Sequence, residues 1–574
     1  VSRDLLQEIR AGLRPTWLDR KITQIAPTWG LKRMEARATM AIASGGAWAG
    51  GRRENIDNKN WKPITPSPDD EQRWDRDYLL SRATDLERND ALAGGAIEER
   101  VLSVVGTGLS VQPSPLYKVL GWSQDQAVDW AQERKERFNL WAQDPRECDI
   151  ARRRNFYQGQ VIAYRTAASR GDCFTLLQHR KHSGATWALK FQIIEGDRCL
   201  NPPGMNESLT DTKLSQGIEV DDAGGAVKYW FCKRHPALGI VLTKDDFIPV
   251  DAWGQDGQRL VLPLMHENRL DLRRGYPMLA PVIAPLKQMS RLSDSELAAS
   301  VVSSFFAVVI KKSGTGSSPL AGSVKKGPTG KSFTELGHAL VAELNPGEEI
   351  QNVNPTRPNG AFDPFWKSLM GQIAMRLQIP PEILLKKFES SYTAARGALL
   401  QFWKFVTVER ENFLAPDFCQ PLYEAWLAED VATGRTKAPG FFRDPLLRAA
   451  YCNARWIGDN PPILDPLKEV LAAGELIDRT LSTRADQTMR LTGGDFEENV
   501  PQLAREVKRL GEGGLLPATK PGTDPKGQAT VDPNAVEPMD QPNPAPPAPT
   551  PAAAPQGRAS FRSALIAAVL KESL

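Results

Sequence analysis

At 574 residues the chain is too long for one hydrophobic core, and its 41% apolar and 25% charged content is that of a folded protein divided into several domains. A formal charge of only +3 means that any nucleic-acid contact must come from local patches. Six dispersed cysteines without a CxxC pair read as reduced thiols, and the five histidines lack the paired ligand spacing of a structural zinc site.

The first residues, VSRDLLQEIRAGL, are charged from Arg3 onward and do not read as a secretory signal. Residues 1–53 hold ten Lys/Arg against four Asp/Glu, which makes 1–59 a basic arm able to touch acidic protein or nucleic acid, or simply a solvated tail. Helical patterning is predicted over 75–88 and 91–105, ended by the turn Gly106-Thr107-Gly108. A further helix over 124–141 repeats Val128, Ala131, Phe138 and Trp141 on one face, a core pattern. After a helix from Phe156, short β-rich runs at 173–177, 189–194 and 227–231, with a hairpin turn DDAGG at 221–225, give an α+β region over 60–275. EGDR at 195–198 ends a strand; its acids are either site residues or a turn with an internal Asp–Arg pair, the reading we favour.

Prolines 281 and 285 allow helix from about 286, and the pattern can run to Lys311. Within it, 297–310 is uncharged for fourteen residues, too short for a membrane span of about 20 but suited to burial between subunits. Between Leu297 and Thr334 the chain has five lysines (311, 312, 325, 326 and 331) and no carboxylate. Such a one-signed stretch either borders a polyanion or is a solvated loop. GPTGKS at 327–332 lacks the first glycine of a phosphate-binding loop, with Lys325 in its place, and the strand-to-helix context is missing too. Strand-like pieces at 339–344 and 350–353 complete the tip. A return helix is predicted from Asp363 to Gln378, stopped by Pro380-Pro381. The loop LLKKFESSYTAARG (384–397) leads to a long helix carrying Leu399, Phe402, Trp403, Val406 and Phe413. A mostly helical region follows to 512. Twelve prolines in 517–555 make a tether, and 559–574 reads as a short amphipathic helix suited to docking, or as a loose tail. No GxSxG, HExxH or calcium-loop motif is present, and nothing in the sequence supports an enzyme, a metal site or a cofactor.

Seven segments in order resemble the lambda-type portal proteins of tailed bacteriophages: RNDALAGGAIEERVLSVVGTGL (88–109), IIEGDRCLNP (193–202), GIEVDDAGGAVKYWF (217–231), RRGYPMLAPVIAPLKQMSRLSDSELAAS (273–300), LNPGEEIQNVNPTRPNGAF (344–362), QIPPEILLKKFESSYTAARGALLQFWK (378–404) and FCQPLYEAWL (418–427). Two departures stand out. DLRRGYP lacks a glutamine that such families often carry, and Lys386-Lys387 replaces a Gly-Asp pair.

The resemblance implies a mainly helical α+β portal fold that assembles into a ring, typically of twelve subunits, in the virion at one capsid vertex after assembly in the host cytoplasm. It implies a wing (60–275 and the long helix 398–439), a stem (276–311 and 358–379), a clip (312–357), a tunnel loop (380–397) and a crown (440–512). Implied partners are double-stranded DNA, the terminase large subunit, major capsid and scaffold proteins, and head-completion and tail proteins, with no membrane and no cofactor. The alternative is a non-portal head-tail adaptor or DNA-binding structural protein. On this template Lys386, Lys387, Lys311 and Lys312 are expected near DNA, because sparse positive charge offsets phosphate repulsion without stalling sliding. Lys325, Lys326 and Lys331 are expected to meet terminase or adaptor surfaces. Ser391, Tyr392 and Arg396 should order the tunnel loop, Arg396 by fixing the loop base or by pairing with a neighbouring subunit's carboxylate. Leu297, Val301, Phe305 and Val308 should form the stem face buried between subunits.

Overall fold

The computed structural model describes residues 26, 29, 63–73, 75–205, 213–236, 242–305, 309–312, 324–326, 332–334, 348–351, 362–388, 391–461 and 465–512. The basic arm, the strand-like piece at 339–344, the proline-rich tether and the 559–574 segment lie outside them, save residues 26 and 29. The chain divides after Glu497 into two units, of which the first carries almost all the described structure.

The longer helices of the first part are α1 (Arg76–Asn89), α2 (Ala91–Val104), α3 (Gln124–Gln143) and α4 (Phe156–Arg170). Their starts are written in side chains. Asp90 accepts from the amides of Leu92 and Ala93, and Ser123 with Gln126 and Asn155 with Gln158 close capping boxes. The boundaries agree with the sequence reading. On α3, however, the buried face is Ala127, Arg134, Phe138 and Trp141, so Val128 and Ala131 are only half-buried. The strand β1 (Ser110–Pro113) pairs far along the chain with β13 (Ala454–Ile457).

Two antiparallel sheets follow. In the first, β2 (Asp172–His179) lies between β3 (Leu189–Glu195) and β8 (Val261–Met265). The second runs in order through β4 (Leu214–Ser215), β5 (Ile218–Val220), β6 (Ala226–Cys232) and β7 (Phe247–Asp251). The predicted hairpin turn between β5 and β6 is present, with Asp221 Oδ1 accepting from the amides of Ala223 and Gly225. All six cysteines are buried and free.

The helix α5 (Ile283–Phe305) ends earlier than its apolar pattern suggests. Beyond it the β-branched Val309 and Ile310 enter a strand, β9 (Val309–Lys312), paired with β12 (Glu348–Gln351). Lys311 and Lys312 therefore belong to a two-stranded ribbon and not to a helix end. A second ribbon joins β10 (Val324–Lys326) to β11 (Ser332–Thr334). The return helix α6 (Phe362–Leu377) packs beside α5 and buries Met370, Ile373, Ala374 and Leu377.

One helical rod then runs from α7 (Tyr392–Glu409) through a π-helical stretch (Arg410–Cys419) containing Pro416 into α8 (Gln420–Ala432). It is the spine of the main core. Phe402, Val406, Leu414, Phe418, Tyr423 and Trp426 are all buried there, with Phe138, Trp141 and Phe156 packed against the same region. Aromatic residues of this size dominate core energetics, which explains why the rod fixes the helices of the first part around it. Helix α9 (Pro466–Asp478) starts at Asp465, whose side chain accepts from the Lys468 amide. The last described helix, α10 (Phe496–Glu512), has no buried residue.

Candidate functional site

The loop expected over 380–397 is shorter than its sequence suggests. A four-residue helical turn, Pro381–Leu384, occupies its start. Ser391 already caps α7 by accepting from the Ala394 amide at 3.4 Å. The helix thus begins at Tyr392, and Arg396 sits on it instead of on a loop. What remains irregular is the short connection after Leu384. There Lys386 adopts a left-handed backbone with φ of 53° and its amide donates to Ile383 O, while the Lys387 amide donates to Glu382 O. This reverses the chain as helix-terminating residues do and presents lysine, lysine and Phe388 in succession. Lys386 is 76% exposed at its side chain, and its Nζ is 3.8 Å from Glu99 Oε2 on α2, a spacing worth little in water. Phe388 is also exposed, which charge reasoning on the lysines overlooked.

Arg396 was expected to brace the loop, with a neighbouring subunit's carboxylate as one partner. Within the chain its guanidinium is 3.9 Å from Glu469 on α9, so an intrachain acceptor is at hand. Leu297 and Val301 on α5 are 67% and 48% exposed, whereas Leu286 and Met289, nearer the start of the same helix, are buried in the chain's own core. Phe305 is the last residue of α5, and Val308 lies outside the described residues. In the ribbons, register sets Lys311 opposite Glu349 and Lys312 opposite Glu348. Lys325 faces Phe333 and Lys326 faces Ser332 across the second ribbon, and Lys331 lies outside the described residues.

Three motifs singled out in the sequence are clasps. In RRGYP, Arg274 donates from Nε to Asp172 at 2.6 Å and from its terminal nitrogens to the carbonyls of Gly196, Cys199 and Gln216. Arg76 reaches the same carboxylate from α1. Burial alone would raise the Asp172 pKa, yet the two guanidiniums and the Gly275 amide hold it below the ordinary carboxylate value. In VGTGL, Asp459 accepts from the Thr107 amide and hydroxyl, both at 3.0 Å. Arg410 closes the same corner by donating to the carbonyls of Ser103, Val104 and Asp459. These carbonyls include orphan acceptors at the end of α2.

The EGDR turn departs from its expected internal pair. Asp197 bonds to Arg170 at 2.6 Å, and Arg198 donates to the carbonyls of Cys232 and Lys233. Gly196 lies against the buried carboxylate, so a Cβ there would stand 1.6 Å from Asp172 Oδ1. His235 also approaches this turn, with Nε2 at 3.2 Å from Glu195 and 3.8 Å from Asp197. Glu195 and His235 are half-exposed, Arg170 holds Asp197 Oδ2, and Asp197 Oδ1 is buried without a hydrogen-bond partner. One ligand atom from each of Glu195, Asp197 and His235 lies within 4.8 Å of the others, a spacing at which the three could hold a metal ion. Among the described residues no helix is long and apolar enough to cross a membrane.

Taken together, these surfaces are structural: clasps around a helical spine, paired ribbons, an exposed apolar helix face and a small cationic turn. The chain matches the model of the phage portal protein, lambda family, over residues 55–410, and it belongs to that family. Portal protein B of Escherichia phage lambda is 25% identical over 483 residues, covering 80% of this chain and 89% of that protein. The portal protein of Escherichia phage N15 is 24% identical over 485 residues with the same coverage. Among solved structures, the neck of a native gene transfer agent particle computed with C12 symmetry aligns with 72% of this chain and 92% of its own, at 10% identity and a TM-score of 0.40. Family membership makes the chain a structural virion component of the portal vertex and removes the non-portal adaptor reading.

Proposed function

We propose that copies of this chain close into a ring, of twelve by family precedent, and form the channel through which terminase drives double-stranded DNA into the capsid. The same channel retains the DNA and later releases it to the tail. The observation that carries this reading is the family match over 55–410. The exposed Leu297 and Val301 supply the physical support: an apolar helix face beside a buried one suits an interface between copies. In this reading α5 and α6 form the stem. The ribbons β9–β12 and β10–β11 belong to the clip that meets terminase and then head-completion proteins. The region after 440 builds the crown, with scaffold and major capsid protein as neighbours during assembly in the host cytoplasm.

Within the channel the turn at Lys386 and Lys387 faces the DNA. Two exposed ammonium groups per copy give a ring of charge that contacts phosphates without reading bases. Lys311 and Lys312, on a ribbon strand next to the stem, remain further DNA candidates. The test is charge reversal, Lys386→Glu with Lys387→Glu, in a packaging assay. Filled capsids that leak DNA, or capsids that package less, support the assignment; unchanged packaging and retention refute it.

A further inference from the structure

The turn that ends β3 gathers an imidazole and two carboxylates from two sheets. Glu195 closes the strand, Asp197 stands in the one-turn helix Gly196–Arg198, and His235 comes shortly after β6. Strand β3 belongs to the first sheet and β6 to the second. His235 Nε2 is 3.2 Å from Glu195 Oε2 and 3.8 Å from Asp197 Oδ2. Around a tetrahedral zinc ion with bonds of about 2.0–2.1 Å, ligand atoms stand about 3.3 Å apart. The side chains are already close to that spacing.

Two further observations point to a cation. His235 Nδ1 lies 2.9 Å from Pro236 O. A carbonyl only accepts, so Nδ1 carries the proton and Nε2 turns its lone pair toward the two carboxylates. Electron-rich atoms so placed repel one another unless a cation sits among them. A backbone carbonyl on the far nitrogen is also the outer contact that orients histidines bound to metals. Asp197 supplies the second observation. Arg170 holds its Oδ2 at 2.6 Å and so fixes the carboxylate, while Oδ1 is buried with no hydrogen-bond partner. A carboxylate oxygen withdrawn from water without a donor is costly, and a divalent cation at the carboxylate offsets that loss.

We propose that Glu195, Asp197 and His235 form a binding site for a divalent transition-metal cation, zinc first among them, which staples the two sheets together. One imidazole nitrogen with two carboxylates suits Zn2+ or Mn2+ better than Ca2+ or Mg2+, which take oxygen shells. Three protein ligands leave a fourth position to water, which the half-exposed Glu195 and His235 admit. The role is structural. Arg198 already ties this turn to the carbonyls of Cys232 and Lys233, just before His235, and the ion adds a second tie across the same junction. The site does not depend on the ring reading.

The test uses untagged full-length protein freed of metal by chelation. Zinc chloride is titrated by calorimetry into the parent chain and into Glu195→Gln and His235→Ala, whose side chains are exposed enough to be replaced without opening the core. Circular dichroism checks that each variant is folded, and unfolding midpoints are read with and without zinc. The expected result is one zinc ion per parent chain and binding weaker by about tenfold or more in each variant. Zinc should raise the parent's unfolding midpoint and neither variant's, and magnesium chloride at the same concentration should raise none. No binding by the parent, or equal affinity in the parent and both variants, overturns the site. An equal rise with magnesium overturns the part given to the histidine nitrogen.

Discussion

Arg274 Nε lies 2.6 Å from Asp172 Oδ2, and neither side chain is open to solvent. The pair joins the start of β2 to the segment that leads into α5, with Arg76 of α1 as a third member. Removing one partner of a buried ion pair is far costlier than the pair's net worth, because the others stay buried and uncompensated. Asp172→Asn is expected to destabilise the fold by about 3–5 kcal/mol. Denaturant unfolding measures it. The sign with pH follows from the depressed carboxylate: its contribution is full above the unfolded pKa and is lost as pH falls through the lower folded value.

A second expectation concerns the Gly106–Gly108 corner. Asp459→Ala removes two hydrogen bonds to Thr107 that tie this turn to the strand β13 region. The expected loss is about 1–2 kcal/mol, read as a lowered unfolding midpoint with an unchanged m-value.

Asp417, inside the π-helical stretch, gives a pH prediction of the opposite sign. Burial pushes its pKa from 3.8 up to about 6, against the pull of Arg259 and His266. A raised carboxyl favours the protonated fold, so its contribution is fully present below the unfolded pKa and is lost as pH rises through about 6. Asp417→Asn is therefore expected to stabilise the protein at pH 8 by ~1–2 kcal/mol, once partial exposure is discounted, and to change little at pH 4. Unfolding curves of both proteins at the two pH values check it; equal differences at both contradict it.

The stem face gives a third kind of prediction. Leu297→Glu with Val301→Glu leaves the chain's own core untouched, since both side chains are exposed there. The variant is expected to fold and to fail at ring closure, seen as a shift from ring to subunit mass. Rings that form normally would remove this face from the interface.

Much of the fold was legible. Caps, turn residues and helical periodicity located α1 to α4 and the strands of the α+β region, and collinear motifs pointed to the family. The misses share one cause, namely partners distant in sequence. The apolar run after Leu297 reads as continuous helix until β12 offers Val309 and Ile310 a strand to pair with. Lys311 and Lys312 read as the end of a helix until the register sets their strand against 348–351. Arg274 reads as an extra charge in RRGYP until Asp172, 102 residues away, fills its fork. Ser391 is a capping residue, but the extent of α7 before residue 398 was hidden by its polar and small side chains.

The central claim is that the chain closes into a channel, and imaging of the purified full-length protein in negative stain tests it most directly. The account predicts closed rings with an axial hole, of twelve-fold symmetry if family precedent holds. A field of compact particles without a hole, at concentrations where the protein is folded, would contradict it.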